Sequence, residues 1–285
     1  MSHARHRFFY NSNGFAFHRI EDAVGILARL GYAGLALTPD VHHLDPFRTS
    51  SADLAAFRNL LDEHGLDLVI ETGARFVIDP DRKHRPNLLD APRDAHRRVE
   101  MLCRCLDMAE QLRAPVVSLW SGAAPDGVSD DACFDRLVTG LRTVCAYAGH
   151  VGVRVGFEPE PGMLIERADQ WPALRDAVGH DALGLTLDIG HCLATREGAP
   201  DAVLREHAGD LLVVQLDDHR PGTHDHLAFG EGEVDFASVA EAVAEVGFQG
   251  PLEVELSRHS ATAPDTAARS LSFLNHMFMR DTASG

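Results

Sequence analysis

Residues 152–191 read GVRVGFEPEPGMLIERADQWPALRDAVGHDALGLTLDIGH and contain a strand, a helix and a second strand in succession. The two strand candidates, 152–158 and 183–188, are short and apolar, and each ends on a carboxylate. The stretch 168–178 between them is predicted to be a helix. Near-continuous apolar strands are typical of parallel sheets that are covered on both faces. The segment therefore predicts two parallel strands joined by a helix.

The same alternation of strands and helices continues in both directions along the chain. Six more strand candidates lie at 7–10, 34–38, 67–71, 115–120, 211–216 and 251–256. Further helices are predicted at 20–31, 51–64, 92–112, 131–149, 200–209, 236–247 and 264–279. Eight strands, each followed by a helix, predict a (β/α)₈ TIM barrel.

The barrel is expected to be one domain that spans residues 1–285, because no low-complexity segment or Pro/Gly linker divides the chain. An open doubly wound sheet is the alternative architecture. It is disfavoured because no GxGxxG follows the first strand and no GKS/T loop is present. The two long connections, 72–91 and 217–235, are expected at the C-terminal face, where barrel enzymes carry their active sites.

Charge and composition disfavour several classes of binding partner and favour one cellular location. With 26 Lys and Arg against 43 Asp and Glu, the net charge of −17 disfavours nucleic acid and anionic membranes as partners. No apolar run approaches the roughly 20 residues of a membrane span. The basic start is too short for a signal peptide. The five Cys form no CxxC pair, which favours reduced thiols and a cytoplasmic protein.

Polar side chains stand at the ends of the last four predicted strands. These are Glu158, Asp188, Gln215 and Glu255. One strand-end carboxylate alone is commonly a helix cap or an Arg partner, but four polar side chains on successive strands are hard to explain in that way. In a barrel they converge on one mouth, where several carboxylates repel one another unless a cation or proton intervenes. The pattern predicts a ring of oxygen ligands around one divalent cation.

Five segments carry a resemblance to a known family: FEPEPG (157–162), LTLDIGHC (185–192), VVQLDDH (213–219), HLAFGEGEVDF (226–236) and GPLEVEL (250–256). The chain resembles the xylose isomerase-like TIM barrel superfamily, which includes sugar phosphate isomerases and epimerases as well as endonuclease-type proteins. The resemblance implies metal ligands at Glu158, Asp188 and Glu255, together with a His after strand seven.

Gln215 stands where the resemblance implies that His. A Gln carbonyl oxygen is a harder and weaker ligand than imidazole, which favours Mn²⁺ or Mg²⁺ and leaves Co²⁺ and Zn²⁺ open. The departure is also the one feature that favours a protein without catalytic activity, a barrel used for binding or assembly.

Further polar residues are expected to contact substrate. His191 resembles the second member of the family's Asp-x-x-His pair, which touches substrate or metal. His226 and Arg220 lie in the 217–235 loop, and Asn11 follows the first strand. His226 and its neighbour His224 also resemble a multi-zinc cluster of the endonuclease branch, so a second metal stays open. One metal is favoured, because strand three ends without the His that this branch needs.

These residues predict a metal-dependent isomerase or epimerase that acts on a sugar, cyclitol or related hydroxy-ketone. Glu158 and Glu255 would flank the substrate, one removing a proton to form an enediolate and the other returning it. The same apparatus could expel a β-hydroxyl, as a dehydratase or lyase does. A phosphoester hydrolase of the endonuclease type is a further alternative. The expected partner is a small carbohydrate-like substrate, and a homo-oligomer is left open.

Three more expectations concern charged residues. The segment 79–86, DPDRKHRP, holds the chain's only Lys, Lys83, and is either a solvated loop or a lid that binds an anionic substrate group. Glu160 is expected to be solvated near the mouth. Glu253 is expected one layer below Glu255, because residues two apart on a strand point to the same side, and it is paired there with a buried Arg.

Overall fold

The computed structural model describes residues 6–73 and 75–278. Eight parallel strands pair in chain order, and the first pairs with the last, so that the sheet closes into a barrel. The barrel predicted from the sequence is confirmed. The strands are β1 (Phe8–Asn11), β2 (Gly34–Leu37), β3 (Asp67–Glu71), β4 (Val116–Leu119), β5 (Arg154–Phe157), β6 (Leu183–Asp188), β7 (Leu211–Leu216) and β8 (Leu252–Val254).

Helices surround the barrel, and most begin and end within a few residues of the predicted bounds. The predicted helix 264–279 ends at residue 278, and residue 279 lies outside the described part of the chain. The helices are α1 (Ile20–Leu30), α2 (Ser51–His64), α3 (Pro92–Leu112), α4 (Asp130–Val151), α5 (Trp171–Val178), α6 (Ile189–Ala194), α7 (Pro200–Glu206), α8 (Phe236–Glu245) and α9 (Ala263–Phe278).

The short helix α6 is absent from the sequence prediction. It begins directly after β6, because the carboxylate of Asp188 accepts hydrogen bonds from the backbone N–H groups of Gly190 (2.7 Å) and His191 (3.2 Å). A side chain that satisfies free N–H groups in this way starts a helix. Asp188 therefore serves as helix cap with one carboxylate oxygen, while its other oxygen faces the barrel mouth.

Local signals account for the bounds of the longer helices. At the start of α2, Ser50 and Asp53 exchange side-chain and backbone hydrogen bonds in a capping box. The helix ends at Gly65, whose φ of 67° lies in the left-handed region that glycine adopts without strain.

The main apolar core lies between the barrel and the helices. Trp171 of α5 is fully buried, and its ring stacks on Phe157 of β5 at 6.2 Å. Polar side chains occur inside the barrel, where the Ser118 and Thr186 hydroxyls bond at 2.8 Å. Gly156 lies between their strands, and a Cβ there would come within 2.2 Å of the Thr186 hydroxyl oxygen. Polar groups thus occupy the interior that leads to the mouth.

The two long connections follow β3 and β7 and lie at the C-terminal end of the barrel, as predicted. The connection after β7 is held by Asp218, whose carboxylate accepts hydrogen bonds from the backbone N–H groups of Gly230, Gly232 and Val234 at 2.9 to 3.1 Å. A Cβ at Gly232 would lie 2.3 Å from Asp218 Oδ1. No helix in the described part of the chain is long and apolar enough to span a membrane.

Candidate metal centre

The structure brings the four predicted metal ligands together at the mouth of the barrel. Asp188 at the end of β6 and Gln215 of β7 are paired in register. Gln215 Nε2 donates a hydrogen bond to Glu255 Oε2 at 3.1 Å. Glu158 lies on the other side, where His191 Nδ1 is 3.7 Å from Glu158 Oε1 and His191 Nε2 is 3.6 Å from Asp188 Oδ2. Convergence of strand ends places groups from distant parts of the chain around one point.

Two oxygen atoms in this group have no hydrogen-bond partner among the described residues. They are Asp188 Oδ2 and Gln215 Oε1, and both are buried. A buried polar atom without a partner costs free energy, and the cost is higher for a charged group. Carboxylate and amide oxygens are the ligands that hard divalent cations prefer. The residues present therefore fit a divalent cation, with Glu158 and Glu255 completing the oxygen set.

Glu71 is a member of the site that sequence reasoning missed. It ends β3, is buried, and lies with Oε2 at 3.4 Å from Gln215 Nε2. Burial and the neighbouring Glu253 and Glu255 raise its pKa well above the ordinary value. Burial, with Glu71 as the largest neighbouring charge, likewise raises the pKa of Glu158. The signal was present in the sequence, because Glu71 is a strand-end carboxylate like the others.

A second group of polar side chains is built around Asp217, which sequence reasoning also did not single out. Its Oδ2 accepts hydrogen bonds from His219 Nε2 at 2.8 Å and from His226 Nδ1 at 2.5 Å. Burial opposes the charge on His226, but Asp217 outweighs it and raises the pKa of His226 to about 10. Asp217 can lie this close to α6 because residue 190 is glycine: a Cβ at Gly190 would lie 2.1 Å from Asp217 Oδ1.

Besides His219 and His226, the site contains His191 and His224, which contact each other. His191 Nδ1 donates to the carbonyl oxygen of Pro159 at 3.1 Å, so in its neutral form Nε2 accepts from His224 Nε2 at 3.2 Å. Burial, with the nearby histidines, lowers the pKa of His191 well below its ordinary value and that of His224 to about 4. Ring nitrogens of His191, His224 and His226 all lie within 4.8 Å of one another and offer a second set of ligand atoms.

The predicted substrate-binding residues occupy different places. His226 lines a pocket of about 250 Å³ that also contains Glu158 and Glu255. His191 is buried beside Glu158 and Asp188, as the distances above show. Arg220, Asn11 and His191 do not line the pocket, in contrast to the expectation from sequence. Arg220 is exposed and donates to the carbonyl oxygen of Glu231 at 3.0 Å.

Asn11 is fully buried below the pocket, and its polar atoms are occupied by the protein. Its Nδ2 donates to Glu253 Oε1 at 2.8 Å, and its Oδ1 accepts from Thr38 Oγ1 at 2.6 Å. Glu253 is thus partnered by an amide, and the expected buried Arg is wrong. Glu160 also differs from its expectation of solvation. Its side chain is only 19% exposed, lines the pocket and lies 3.8 Å from His191 Nε2.

Comparison with known proteins identifies the family. A family model described as xylose isomerase-like TIM barrel matches residues 24–277. The chain belongs to this family. L-ribulose-5-phosphate 3-epimerase UlaE of Escherichia coli is 24% identical over 205 residues, which are 71% of this chain and 71% of that protein. An uncharacterized protein of Methanocaldococcus jannaschii is 25% identical over 163 residues, and the match spans 56% of its length.

Solved structures share the fold over nearly their whole length. An L-ribulose 3-epimerase has a TM-score of 0.79 at 19% identity, covering 98% of both chains. D-allulose 3-epimerase from Methylomonas sp., solved in complex with D-allulose, has a TM-score of 0.77 at 18% identity, covering 96% of this chain and 98% of that one. These similarities establish the barrel architecture.

The mouth of this xylose isomerase-like barrel carries positive charge above the acidic site. Lys83, Arg75 and Arg258 line the pocket together with Glu158 and Glu255. The ammonium group of Lys83 makes no hydrogen bond or ion pair in the described part of the chain, whereas the guanidinium of Arg258 donates to the carbonyl oxygen of His224 at 2.7 Å. An unpaired cation at the mouth suits an anionic group on a ligand.

The segment 79–86 presents only part of its positive charge to the pocket. Lys83 and His84 line the pocket. Arg82 instead pairs with Asp79, with Nε 2.7 Å from Oδ2, and Arg85 pairs with Asp90 at 2.7 Å. Of the basic residues that a lid would use, only Lys83 and His84 therefore face the pocket.

A buried arginine of α3 holds this segment in place. The guanidinium of Arg98 donates to the carbonyl oxygens of His84 and Pro86, both at 3.2 Å, and lies 4.7 Å from the centre of the Trp120 ring. Trp120 itself lines the pocket. Arg98 thereby fixes the backbone next to Lys83 without contacting the site.

Proposed function

We propose that this protein is a divalent-metal-dependent epimerase or isomerase of the cytoplasm that acts on a sugar, cyclitol or related hydroxy-ketone. The observation that carries the proposal is the convergence of Glu158, Asp188, Gln215 and Glu255 with two unpaired buried oxygens. A pocket of about 250 Å³ above them suits a small substrate. The names of the relatives support 3-epimerisation of a ketose, because they are a ribulose-phosphate and two ketose 3-epimerases.

Mn²⁺ or Mg²⁺ is the favoured ion, because the ligand atoms offered are all oxygens. Such a cation would polarise the substrate carbonyl and lower the pKa of the neighbouring C–H. Glu255 is held ready for proton transfer, since Asn13 Nδ2 donates to its Oε1 at 2.8 Å and Gln215 Nε2 donates to its Oε2.

The two glutamates carry the proton transfers. One carboxylate takes the proton from the carbon beside the carbonyl, and the electron pair of that C–H bond forms the C=C bond of an enediolate. The other, in its acid form, returns a proton to the same carbon from the opposite face, which inverts the configuration. Return to the neighbouring carbon would give an isomer instead. Asp188 and Gln215 would hold the cation through their oxygen atoms. His191, whose ring nitrogens are bonded to Pro159 and His224, would position His224 at the wall of the pocket.

The proposal is tested with Mn²⁺-loaded protein in D₂O. L-ribulose, D-allulose and their phosphate esters are incubated with it, and deuterium uptake at the carbon beside the carbonyl is followed by NMR. We expect uptake and the 3-epimer with at least one of them, whereas loss of a β-hydroxyl would reveal a dehydratase. Failure to exchange with any of these or with inososes would reject the proposal.

Variants assign the proton transfers. Glu158→Gln and Glu255→Gln are each expected to lower turnover by about 100-fold or more, with an unchanged circular dichroism spectrum. Glu166→Gln is the matched control, because Glu166 lies eight residues after Glu158 and outside the pocket lining. Near-native turnover of either site variant would reject its assignment.

A phosphoester hydrolase is the second candidate, favoured by the ring nitrogens of His191, His224 and His226 that lie within 4.8 Å of one another. It would need two or three metals. Metal content per chain after equilibration with Mn²⁺ or Zn²⁺ and gel filtration distinguishes the two: one ion supports the epimerase, and two or three support the hydrolase.

A further inference from the structure

Exposed apolar side chains are gathered at one side of the barrel mouth. Four large apolar residues are exposed in the described part of the chain, and three of them line one outer cavity of about 500 Å³. They are Phe17 (78% exposed), Val41 (62%) and Phe76 (43%), and they come from the connections after β1, β2 and β3. The fourth, Phe47 (37%), lies elsewhere, under the guanidinium of Arg104 at 5.0 Å.

This outer cavity adjoins the pocket of the candidate site. Asn13, Arg75, Ser257 and Arg258 line both spaces. Asn13 is also the residue that donates a hydrogen bond to Glu255 Oε1. A ligand that reaches the carboxylates can therefore extend past the two arginines and along the apolar wall without leaving the protein surface.

The chemistry changes in order along this path. The inner pocket is lined by carboxylates. The junction carries Arg75, 3.5 Å from Asp40, and Arg258, 3.4 Å from Asp225, and the outer cavity exposes two phenyl rings and a branched alkyl group beside Asp40 and His42. Grouped exposed apolar side chains next to a polar site are typical of a ligand-binding groove or an interface. A second copy of the chain on this wall would cover Arg75 and Arg258 and so obstruct the inner pocket. The continuity of the two spaces favours one ligand that fills both.

We propose that the substrate is amphipathic: a hydroxy-ketone head bound in the inner pocket, an anionic or polar junction beside Arg75 and Arg258, and an aryl or alkyl tail. The tail binds in the outer cavity against Phe17, Val41 and Phe76. The head-group part of this inference rests on the proposed function. The apolar part rests on the outer cavity alone, and the two parts are tested separately.

The first experiment compares two chelating probes on the Mn²⁺-loaded protein by titration calorimetry. Acetohydroxamate carries only a planar bidentate head, and 4-phenylbutanohydroxamate adds an apolar tail. We expect the tail to tighten binding to the wild type by about tenfold or more, as burial of a phenyl group predicts. Phe17→Ser combined with Phe76→Ser should remove that gain and leave the affinity for acetohydroxamate unchanged. Phe47→Ser, a matched control at an exposed ring outside the cavity, should retain the gain.

A second probe needs no metal. The anionic aromatic dye 8-anilinonaphthalene-1-sulfonate should fluoresce with the metal-free wild type and with Phe47→Ser, and much less with the double variant. Thermal melting shows whether each variant is folded. If the double variant does not fold, the single variants Phe17→Ser and Phe76→Ser are measured in its place.

Separate outcomes reject the two parts of the argument. Failure of both hydroxamates to bind counts against the proposed metal site and the head-group assignment. The dye measurement alone then tests whether the outer cavity binds an apolar group. Equal affinity of the wild type for the two hydroxamates overturns the tail site, as does an undiminished gain in the double variant. A dimeric wild type that becomes monomeric in the double variant, measured by light scattering, also overturns it, because the wall would then be an interface between copies.

Discussion

Gln215 is the residue at which this chain departs from the ligand set that its family resemblance implies, and its neighbours explain how the amide is used. Glu255 accepts a hydrogen bond from Nε2 at 3.1 Å, and Glu71 lies 3.4 Å from the same nitrogen. With two carboxylates at the amide nitrogen, Oε1 has no hydrogen-bond partner among the residues that the structure describes. In the proposed metal site, the substitution would keep a ligand atom on β7 and change it from nitrogen to oxygen.

Gln215→His is expected to raise the affinity for Co²⁺ and Zn²⁺ relative to Mn²⁺ by about tenfold, because imidazole is the better ligand for those ions. Competition with a chromophoric chelator measures the three affinities. Gln249→His, at an exposed position, is the control and should leave all three affinities unchanged. An unchanged metal profile in Gln215→His would mean that Gln215 is not a ligand.

At the scale of an element, the 79–86 segment shows why a cluster of basic residues in sequence is not one site in space. Arg82 and Arg85 are engaged by Asp79 and Asp90, while Lys83 faces the pocket and has no ion-pair partner among the described residues. Arg98 holds the following backbone from the side of α3. The segment therefore presents a single unpaired ammonium group at a defined place.

We expect Lys83→Ala to raise KM for a phosphorylated ketose such as L-ribulose 5-phosphate by about 10- to 100-fold, since a charged hydrogen bond contributes about 1.5–3 kcal/mol. Turnover at saturation should change much less, because the contact is made equally in the ground and transition states. Arg82→Ala, the adjacent cation already paired with Asp79, should leave KM unchanged. Equal KM values for the wild type and Lys83→Ala would show that the ammonium does not bind substrate.

His84 makes the stability of this segment dependent on pH. Its Nδ1 donates to the carbonyl oxygen of Gly73 at 2.7 Å, and burial, with Lys83 nearby, lowers its pKa from 6.5 to about 4. The unfolded chain therefore takes up a proton at a higher pH than the folded chain. As the pH falls from 6.5 towards 4, the wild type should lose about 1–3 kcal/mol of unfolding free energy from this residue.

Urea unfolding of the wild type and His84→Gln at pH 7 and pH 4.5 measures the effect. The variant should lose less stability than the wild type over this interval, because it has no imidazole to protonate. Identical pH dependence of the two proteins would contradict a half-buried, neutral His84. His96→Gln is measured alongside as a variant that removes a histidine of α3 outside the 79–86 segment.

At the scale of the whole molecule, the net charge of −17 and the three cations that line the pocket are expected to affect the binding of different ligands. A polyanion approaches many surface carboxylates at once, whereas a small anion can meet Lys83, Arg75 and Arg258 beside the four glutamates that line the same pocket. The net charge of the whole chain is therefore expected to disfavour nucleic acid even though three cations line the mouth.

A duplex containing an abasic site is expected not to bind the Zn²⁺-loaded protein at 50 mM salt in a gel-shift assay, because its phosphates find no extended basic surface. A parallel lane with a DNA-binding protein of known affinity controls for the duplex. A retarded band that weakens as salt rises would favour the phosphoester hydrolase over the epimerase.

The order of strands and helices was readable from the sequence because it depends on local pattern. Apolar runs of strand length, such as 67–71 and 183–188, coincide with β3 and β6. Parallel strands in a closed barrel must end at one mouth, so the gathering of Glu158, Asp188, Gln215 and Glu255 followed from their positions at strand ends. Hydrophobic periodicity and strand connectivity were sufficient to predict both the order of the elements and the gathering of these four residues.

The contacts of individual side chains were decided only by the tertiary structure. Arg220 and Asn11 have the right chemistry for a substrate, yet one is turned to solvent and the other is saturated by Glu253 and Thr38. Glu71 and Asp217 enter the site because β3 and the loop after β7 bring them to the same centre. Which polar group meets which depends on barrel register and on the path of the loops. Both arise from contacts between residues far apart in the chain, which no local pattern of residues encodes.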